Sequence, residues 1–220
     1  MIKLTNISKK FKNGKDEFYA LSDINLQVKK NEILGLMGAS GSGKTTLLNI
    51  IGGIYQPSSG EYVFNDFQVV GDEAFLSKFR SQNVGFILQH FALIKNRTIF
   101  YNISLPLKYK KIGSKEIRRR TVAIAKTLGI EDKLKKYPYM LSGGECQRAA
   151  IARAIISEPQ IILADEPTSS LDSANKQMIL QILKRLNDEG MTIIIATHDS
   201  DVAKICSRVI HLKTGQLLSR

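Results

Sequence analysis

The 220-residue sequence contains only two cysteines, Cys146 and Cys206, whose separation matches neither a disulfide framework nor a zinc-ligand spacing. Both read as small, partly buried residues of a reducing compartment, without catalytic weight. Long apolar runs are missing as well. The longest, such as residues 193–196, fall far short of the roughly 18 to 20 residues that a membrane-spanning helix needs. The opening MIKLTNISKK lacks the apolar segment of a secretory signal, so the chain is expected in the cytoplasm. No internal repeat or low-complexity linker interrupts it, and its length predicts one domain with room for two lobes. Acidic residues are in deficit: 20 Asp and Glu stand against 32 Lys and Arg, a formal charge of +12. Lys108, Lys110, Lys111, Arg118, Arg119, Arg120, Lys133, Lys135 and Lys136 concentrate much of the excess. Such charge suits nucleic acid, an anionic lipid surface or a solvated helical face.

What is present begins with three short apolar runs: ILGLM at residues 33–37, IILA at 161–164 and TIIIAT at 192–197. Each ends at polar residues and reads as a strand buried on both faces of a parallel sheet. Between the second and third, Ile179, Ile182, Leu183 and Leu186 recur at helical spacing and Gly190 closes the segment, giving a strand–helix–strand crossover. The N-terminal segment alternates instead, with turn signals at Asn13-Gly14 and over residues 57–60, and predicts a mostly antiparallel layer. A helix is expected over residues 114–128, apolar at Ile117, Thr121, Ile124 and Leu128 and stopped by Gly129. The predicted class is α/β, with a helical insert over residues 90–158 set into a catalytic core of residues 1–89 and 159–220.

GASGSGKT, residues 38–45, follows the first buried strand directly and leads into Leu47, Leu48 and Ile51 at helical spacing. This is G-x-x-x-x-G-K-[ST] in the strand–loop–helix context that gives the pattern its meaning. Gly38, Ala39, Ser40, Gly41, Ser42 and Gly43 would turn backbone N–H groups inward at phosphate oxygens. The helix that follows adds a positive terminus of about half a charge, and Lys44 can reach the outer phosphates. Thr45 would hold Mg²⁺ through its hydroxyl, and Thr46 completes the set expected on the nucleotide. A glycine-rich turn that merely joins strand to helix is the competing reading; the lysine, the hydroxyl and the context together weigh against it.

Asp165 and Glu166 leave the end of the second buried strand, where open α/β sheets collect ligands. Successive strand side chains point to opposite faces, so the two are expected to do different work. Asp165 is the expected Mg²⁺ anchor, and Glu166 the group that orients or deprotonates the attacking water. Phosphoryl transfer passes through a loose transition state in which positioning and charge neutralisation dominate, so a weak base suffices. Taken alone, the pair also reads as two solvated strand-end acids, His198 as an ordinary hydrogen-bonded residue and Gln89 as a glutamine facing water. Beside the cradle, His198 becomes a candidate sensor of the outer phosphate.

LSGGECQRAAIARAI, residues 141–155, places Ser142, Gly143 and Gly144 at the start of a predicted helix with no lysine and no metal ligand beside them. A hydroxyl and free N–H groups at a helix start suit an anion, in this chain or in another. Taken in order, these pieces resemble the nucleotide-binding subunit of ABC transporters over essentially the whole chain. GASGSGKT is similar to the Walker A motif, Gln89 to the Q-loop, LSGGE to the signature, IILADE to the Walker B strand with its glutamate, SSLD to the D-loop and His198 to the switch histidine.

The resemblance implies a P-loop NTPase fold with a RecA-like core, an N-terminal antiparallel β layer and a helical subdomain. It implies ATP and Mg²⁺, with Phe11 stacked on adenine, Thr45, Gln89 and Asp165 at the metal, and Glu166, His198, Gln89 and Lys44 as the catalytic set. It implies that two chains, identical or related, meet head to tail, so that Ser142, Gly143, Gly144 and Glu145 of one close over the ATP of the other with Asp172 of the D-loop. A further partner is then an integral membrane permease, which puts the chain on the cytoplasmic face of the membrane as a peripheral subunit. FKNGKDEFYALSDINLQV, LLNIIGG, VGFILQHFALI and TIFYNISLPL resemble the branch of macrolide-export, lipoprotein-release and cell-division ATPases (MacB, LolD and FtsE). That branch implies an exporter or mechanotransmission system for peptides, lipoproteins or antibiotics, or alternatively a regulator of cell-wall hydrolysis. No nucleic-acid partner is expected, since neither a long coiled-coil insert nor a second cassette is present. Phe11 stands where tyrosine is usual and keeps the stacking face. Glu145 replaces the frequent glutamine, which adds negative charge near a phosphate and is expected to weaken closure slightly, although glutamate is also common there; Ser169 and Ser170 vary the D-loop.

Overall fold

The computed structural model describes residues 1–14 and 16–218. Strands β1 (Ile2–Asn13) and β2 (Asp16–Val28) pair antiparallel from Ile2 opposite Val28 to Asn13 opposite Asp16. Gly14, at φ 65°, supplies a left-handed residue in their connection, while Lys15 lies outside the described residues. In β2 the residues Leu21, Ile24, Leu26 and Val28 are buried with exposed neighbours between them, the signature of a layer with one face on the core. Strands β4 (Ser59–Phe64) and β5 (Phe67–Gln68) complete the predicted antiparallel layer, in the order β2-β1-β4-β5. The turn expected over residues 57–60 falls differently. Gly60, at φ 94°, is the second residue of β4, and a Cβ there would strike the Asn6 carbonyl of β1. The glycine marks a close approach of two strands, not a loop.

The three apolar runs become β3 (Ile33–Met37), β7 (Ile161–Asp165) and β8 (Thr192–Thr197), buried over almost their whole length and parallel to one another. Two further parallel strands widen the sheet: β6 (Val84–Ile87) beside β7, and β9 (Arg208–Lys213) beside β3. With the antiparallel β10 (Gln216–Leu217) the order is β10-β9-β3-β8-β7-β6. Register fixes where the chemistry gathers. Met37 stands opposite Thr197, Asp165 opposite Ala196 and Ile87 opposite Ala164, so four strands end on one edge and release the residues after them side by side.

Helix α1 (Lys44–Ile51) leaves the cradle with Leu47, Leu48, Ile50 and Ile51 buried, each burial contributing about 1.5–3 kcal/mol. Helix α2 (Glu73–Asn83) precedes β6. Residues 90–158 contain α3 (Ile99–Tyr109), α4 (Ser114–Thr127) and α5 (Gly143–Ile155), with 3₁₀ turns at Glu131–Lys133 and Pro138–Met140. Helix α4 matches its expected span and buries Ile117 and Thr121. Asn102, fully buried in α3, accepts from the Ile94 N–H at 2.7 Å and donates to the Thr98 carbonyl at 3.0 Å, which fastens the segment arriving from Gln89. Helix α5 buries Ala149, Ala150, Ala152 and Ala154; a Cβ on Gly85 of β6 would strike the Ala154 carbonyl, so small residues set that approach. The crossover helix is α6 (Ser173–Asp188), and α7 (Ser200–Ile205) leads to β9. Among the described residues no helix is long and apolar enough to cross a membrane.

Candidate functional site

The cradle is built by β3 and α1. Gly41 and Gly43 take φ 76° and 107°, a left-handed backbone open to glycine at little cost. Gly43 also has no room for a side chain, since a Cβ would meet the Ala20 carbonyl and Leu21 of β2, and the Gly215 N–H donates to the Ser42 carbonyl at 3.0 Å. The antiparallel layer and the β9–β10 turn thus brace the loop from outside. Within it, Lys44 Nζ donates to the carbonyls of Gly38 at 2.7 Å and Ala39 at 3.0 Å, and the residue is 8 % exposed. Among the described residues no carboxylate lies within 4.0 Å of it, although the tightest pairs elsewhere close to under 3 Å. A nearly buried ammonium without a counter-ion, in a ring of backbone amides, fits an anionic phosphate. The buried Ser42 hydroxyl also lacks a partner here.

Opposite the loop, Thr45 Oγ1 donates to Asp165 Oδ2 at 2.8 Å. Burial pushes the Asp165 carboxyl above its ordinary pKa and the adjacent Glu166 charge adds to this, while the Thr45 bond and Lys44 oppose it. Glu166 follows at φ 48°, a costly left-handed conformation for a residue with a side chain, and its N–H reaches the Ala196 carbonyl at 2.9 Å. Its carboxylate is held on both oxygens: Thr197 Oγ1 donates to Oε2 at 3.2 Å, and His198 Nδ1 lies 2.7 Å from Oε1. The side chain of Glu166 is 12 % exposed and that of His198 70 %, so the acid is anchored while the ring stands toward the opening.

These residues line one open cleft of about 490 Å³, a volume common among small-ligand sites. The cleft brings together Phe11, Ser40, Gly41, Gly43, Lys44, Thr45, Thr46, Gln89, Asp165, Glu166 and His198. Gly38, Ala39 and Ser42 belong to the same loop but do not line the cleft. For a divalent cation the donors on offer are the Thr45 hydroxyl, the Gln89 amide and the Asp165 carboxylate, hard oxygens of the kind Mg²⁺ takes when phosphates and water complete its shell. Sequence reasoning missed Thr197, which holds Glu166, and the rim residues Phe18, Tyr19, Ala20, Thr214 and Gly215. The pairing of Phe11 with Phe18 across the hairpin was a usable signal; a threonine closing a buried strand was not.

Ser142, Gly143, Gly144, Glu145 and Asp172 do not line the cleft. Ser142 caps α5 in a reciprocal box: its Oγ accepts from the Glu145 N–H at 3.3 Å, and its own N–H donates to Glu145 Oε2 at 2.8 Å. The negative charge that Glu145 adds is thus taken up at the cap and by Lys133 Nζ at 3.2 Å. That Ser142 N–H, with Lys133, holds the carboxyl below its ordinary pKa. Asp172 caps α6 by accepting from the Asn175 N–H at 2.9 Å, and Asn175 fills the space against Gly144. Gln147 donates to the Pro167 carbonyl at 2.7 Å, tying α5 to the turn after Glu166.

A parallel sheet whose glycine loop, helix terminus, lysine and strand-end carboxylates converge at one edge defines the class of P-loop nucleotide-hydrolysing domains. A family model described as ABC transporter matches residues 21–169. YvrO of Bacillus subtilis, an uncharacterized ABC transporter ATP-binding protein, is 43% identical over 219 residues, covering 99% of this chain and 96% of that one. The solved ATP-binding cassette MJ0796, whose sequence comes from Methanocaldococcus jannaschii, is a dimer in a post-hydrolysis state bound to ADP and Pi. It matches with a TM-score of 0.93 at 41% identity, covering 100% of this chain and 97% of that one. The methionine import ATP-binding protein MetN of Photorhabdus laumondii is 42% identical, covering 100% of this chain and 65% of that protein. The chain belongs to the ABC transporter family. It is the ATP-binding, ATP-hydrolysing subunit of such a system.

Proposed function

We propose that two cassettes, identical or related, sandwich ATP head to tail, and that their closing and opening drives a membrane permease from its cytoplasmic face. The observation that carries this reading is the position of Ser142, Gly143 and Gly144: an ordered, capped helix start suited to an anion, outside the cleft that holds Lys44 and Glu166 in the same chain. The dimeric MJ0796 cassette supports it. Phe11 offers a face to the adenine, and Lys44 with the cradle amides neutralises the phosphates. Thr45 and Gln89, with Asp165 behind them, would hold Mg²⁺, which would supply neutralisation of the phosphate charge. Glu166, fixed by Thr197 and His198, orients a water on the γ-phosphorus and draws its proton as the bond to the β–γ bridging oxygen breaks. His198 reports the γ-phosphate to the partner, and Asp172 stands at the shared boundary. Residues 90–158 move as a lobe on the core of residues 1–89 and 159–220. ATP shifts the equilibrium because only the closed pair completes both sites.

For the system served, the motifs shared with the MacB, LolD and FtsE branch support an exporter or mechanotransmission machine for peptides, lipoproteins or antibiotics. Control of cell-wall hydrolysis through the same kind of membrane partner is the alternative. The MetN relatives at 42% identity favour a second reading, an importer. The two-chain site is tested with Glu166→Gln protein on a sizing column. It is expected to dimerise with ATP, and to remain monomeric when Ser142→Arg is added; dimers of the double variant would refute the shared site.

A further inference from the structure

Three consecutive residues after Gln89 hold left-handed backbone although none is glycine: His90 at φ 59°, Phe91 at 64° and Ala92 at 47°. A Cβ makes each such residue costly, so a run of three persists only if something outside the loop holds it. The local bonds are short-range ones, Phe91 N–H to the Leu88 carbonyl at 3.1 Å and Ala92 N–H to the His90 carbonyl at 2.7 Å. The outside hold comes from α5. Arg153 Nη1 donates to the Ala92 carbonyl at 2.6 Å and Nη2 to the Phe91 carbonyl at 2.9 Å, so one planar guanidinium grips two successive peptide units. At the other end of α5, a Cβ built on Gly143 would lie 3.7 Å from Phe91 Cζ and 3.5 Å from Leu171 Cδ2, ordinary contact distances. The Phe91 carbonyl is therefore fastened to α5 at Arg153, and its ring lies near Gly143 at the start of the same helix. Burial lowers the pKa of Arg153. The guanidinium nevertheless stays charged, and its two carbonyl bonds offset part of what that burial costs.

The geometry points to Arg153 as a positioning residue: with Phe91 it clamps the strained turn after Gln89 to the helix that begins at Ser142. Gln89 and the signature glycines then shift as one body, so occupancy of one nucleotide site sets the aim of the signature at the other. The inference rests on the two-chain reading above. It adds to that reading Arg153 as the residue that fixes the turn after Gln89 to the helix start proposed to serve a second site.

The test uses the full chain. In Arg153→Lys, an ammonium that cannot span both carbonyls, amide exchange of residues 88–94 is expected to rise about tenfold, the loss of one to two hydrogen bonds. The melting temperature should move little. In a Glu166→Gln background the ATP concentration for half-dimerisation should rise several-fold, and Ala92→Gly should recover part of that rise, because glycine holds φ > 0 without the clamp. Unchanged exchange in Arg153→Lys would overturn the clamp. Faster exchange with unchanged dimerisation, or with no recovery from Ala92→Gly, would overturn the coupling and leave Arg153 a scaffold residue. If Glu166→Gln fails to dimerise at all, the two-chain reading and the coupling fall together, and exchange still decides the clamp.

Discussion

Two helices in this molecule begin with glycine beside an anion-seeking pattern, and the fold treats them in opposite ways. The start of α1 has Gly43 as its cap, a residue with no side-chain acceptor, and no acid in its first turn. Its positive end and the uncompensated Lys44 are left for a ligand. The start of α5 is finished by the chain itself: Ser142 and Glu145 satisfy each other's backbone, and Lys133 balances the carboxylate. On the proposed two-chain reading, the first site is completed by phosphate, whereas the second is a preformed surface that needs only to be brought up to one. The contrast explains why turnover is expected to depend on α1 for binding and on α5 for assembly.

Breaking the α1 side should have the largest effect. Lys44→Ala removes the only ammonium lining the cleft among the described residues, and hydrolysis is expected to fall by at least the 10²–10³-fold that losing one transition-state donor costs. Near-normal phosphate release by the variant would reject the cradle assignment. Next comes Gly144→Ala on the α5 side, where the added Cβ would overlap Asn175 Oδ1, in an amide whose Nδ2 donates to Asp172 Oδ2 at 2.6 Å. Overpacking of that kind costs about 1–3 kcal/mol. Thermal unfolding should therefore shift down, and ATP-driven dimerisation should weaken further than the stability loss explains. A variant that melts early but dimerises normally would separate Gly144 from the signature.

Much of this was legible in sequence because the signals were local. The runs at residues 33–37, 161–164 and 192–197 are apolar on both faces, so periodicity named them as parallel strands without knowledge of their neighbours. The cradle motif carries its own context, strand before and helix after. What stayed hidden depends on pairing across the chain. Strand β9 has one fully buried residue, Leu212, and an alternating look, and it becomes a member of the parallel sheet only by lying beside β3. Gly60 reads as a turn until β1 runs past it. Arg153 sits in a helix rich in alanine and looks like an exposed cation, whereas its partners lie sixty residues upstream. The partner proposed for Ser142 comes from the family resemblance; no spacing rule could have supplied it.

The smallest expected effect sharpens the comparison at Glu145, which tells whether the start of α5 depends on charge or only on its cap. Glutamine at this position can still accept from the Ser142 N–H, so Glu145→Gln should preserve the reciprocal box while losing the pair with Lys133. The sign of the pH effect follows from the lowered pKa of Glu145. A carboxylate held below its unfolded value contributes stability that is fully present above the usual carboxylate pKa of about 4.3. That contribution is lost as pH falls through the lowered folded value. Wild type should thus melt slightly above Glu145→Gln at neutral pH, with the gap closing as acid is added. Both should dimerise with ATP in the hydrolysis-blocked background, because the cap that orients Gly143 and Gly144 is common to them. A gap that widens toward low pH would mean that the carboxylate is not stabilised by these partners, and the finished character of this helix start would then rest on Ser142 alone.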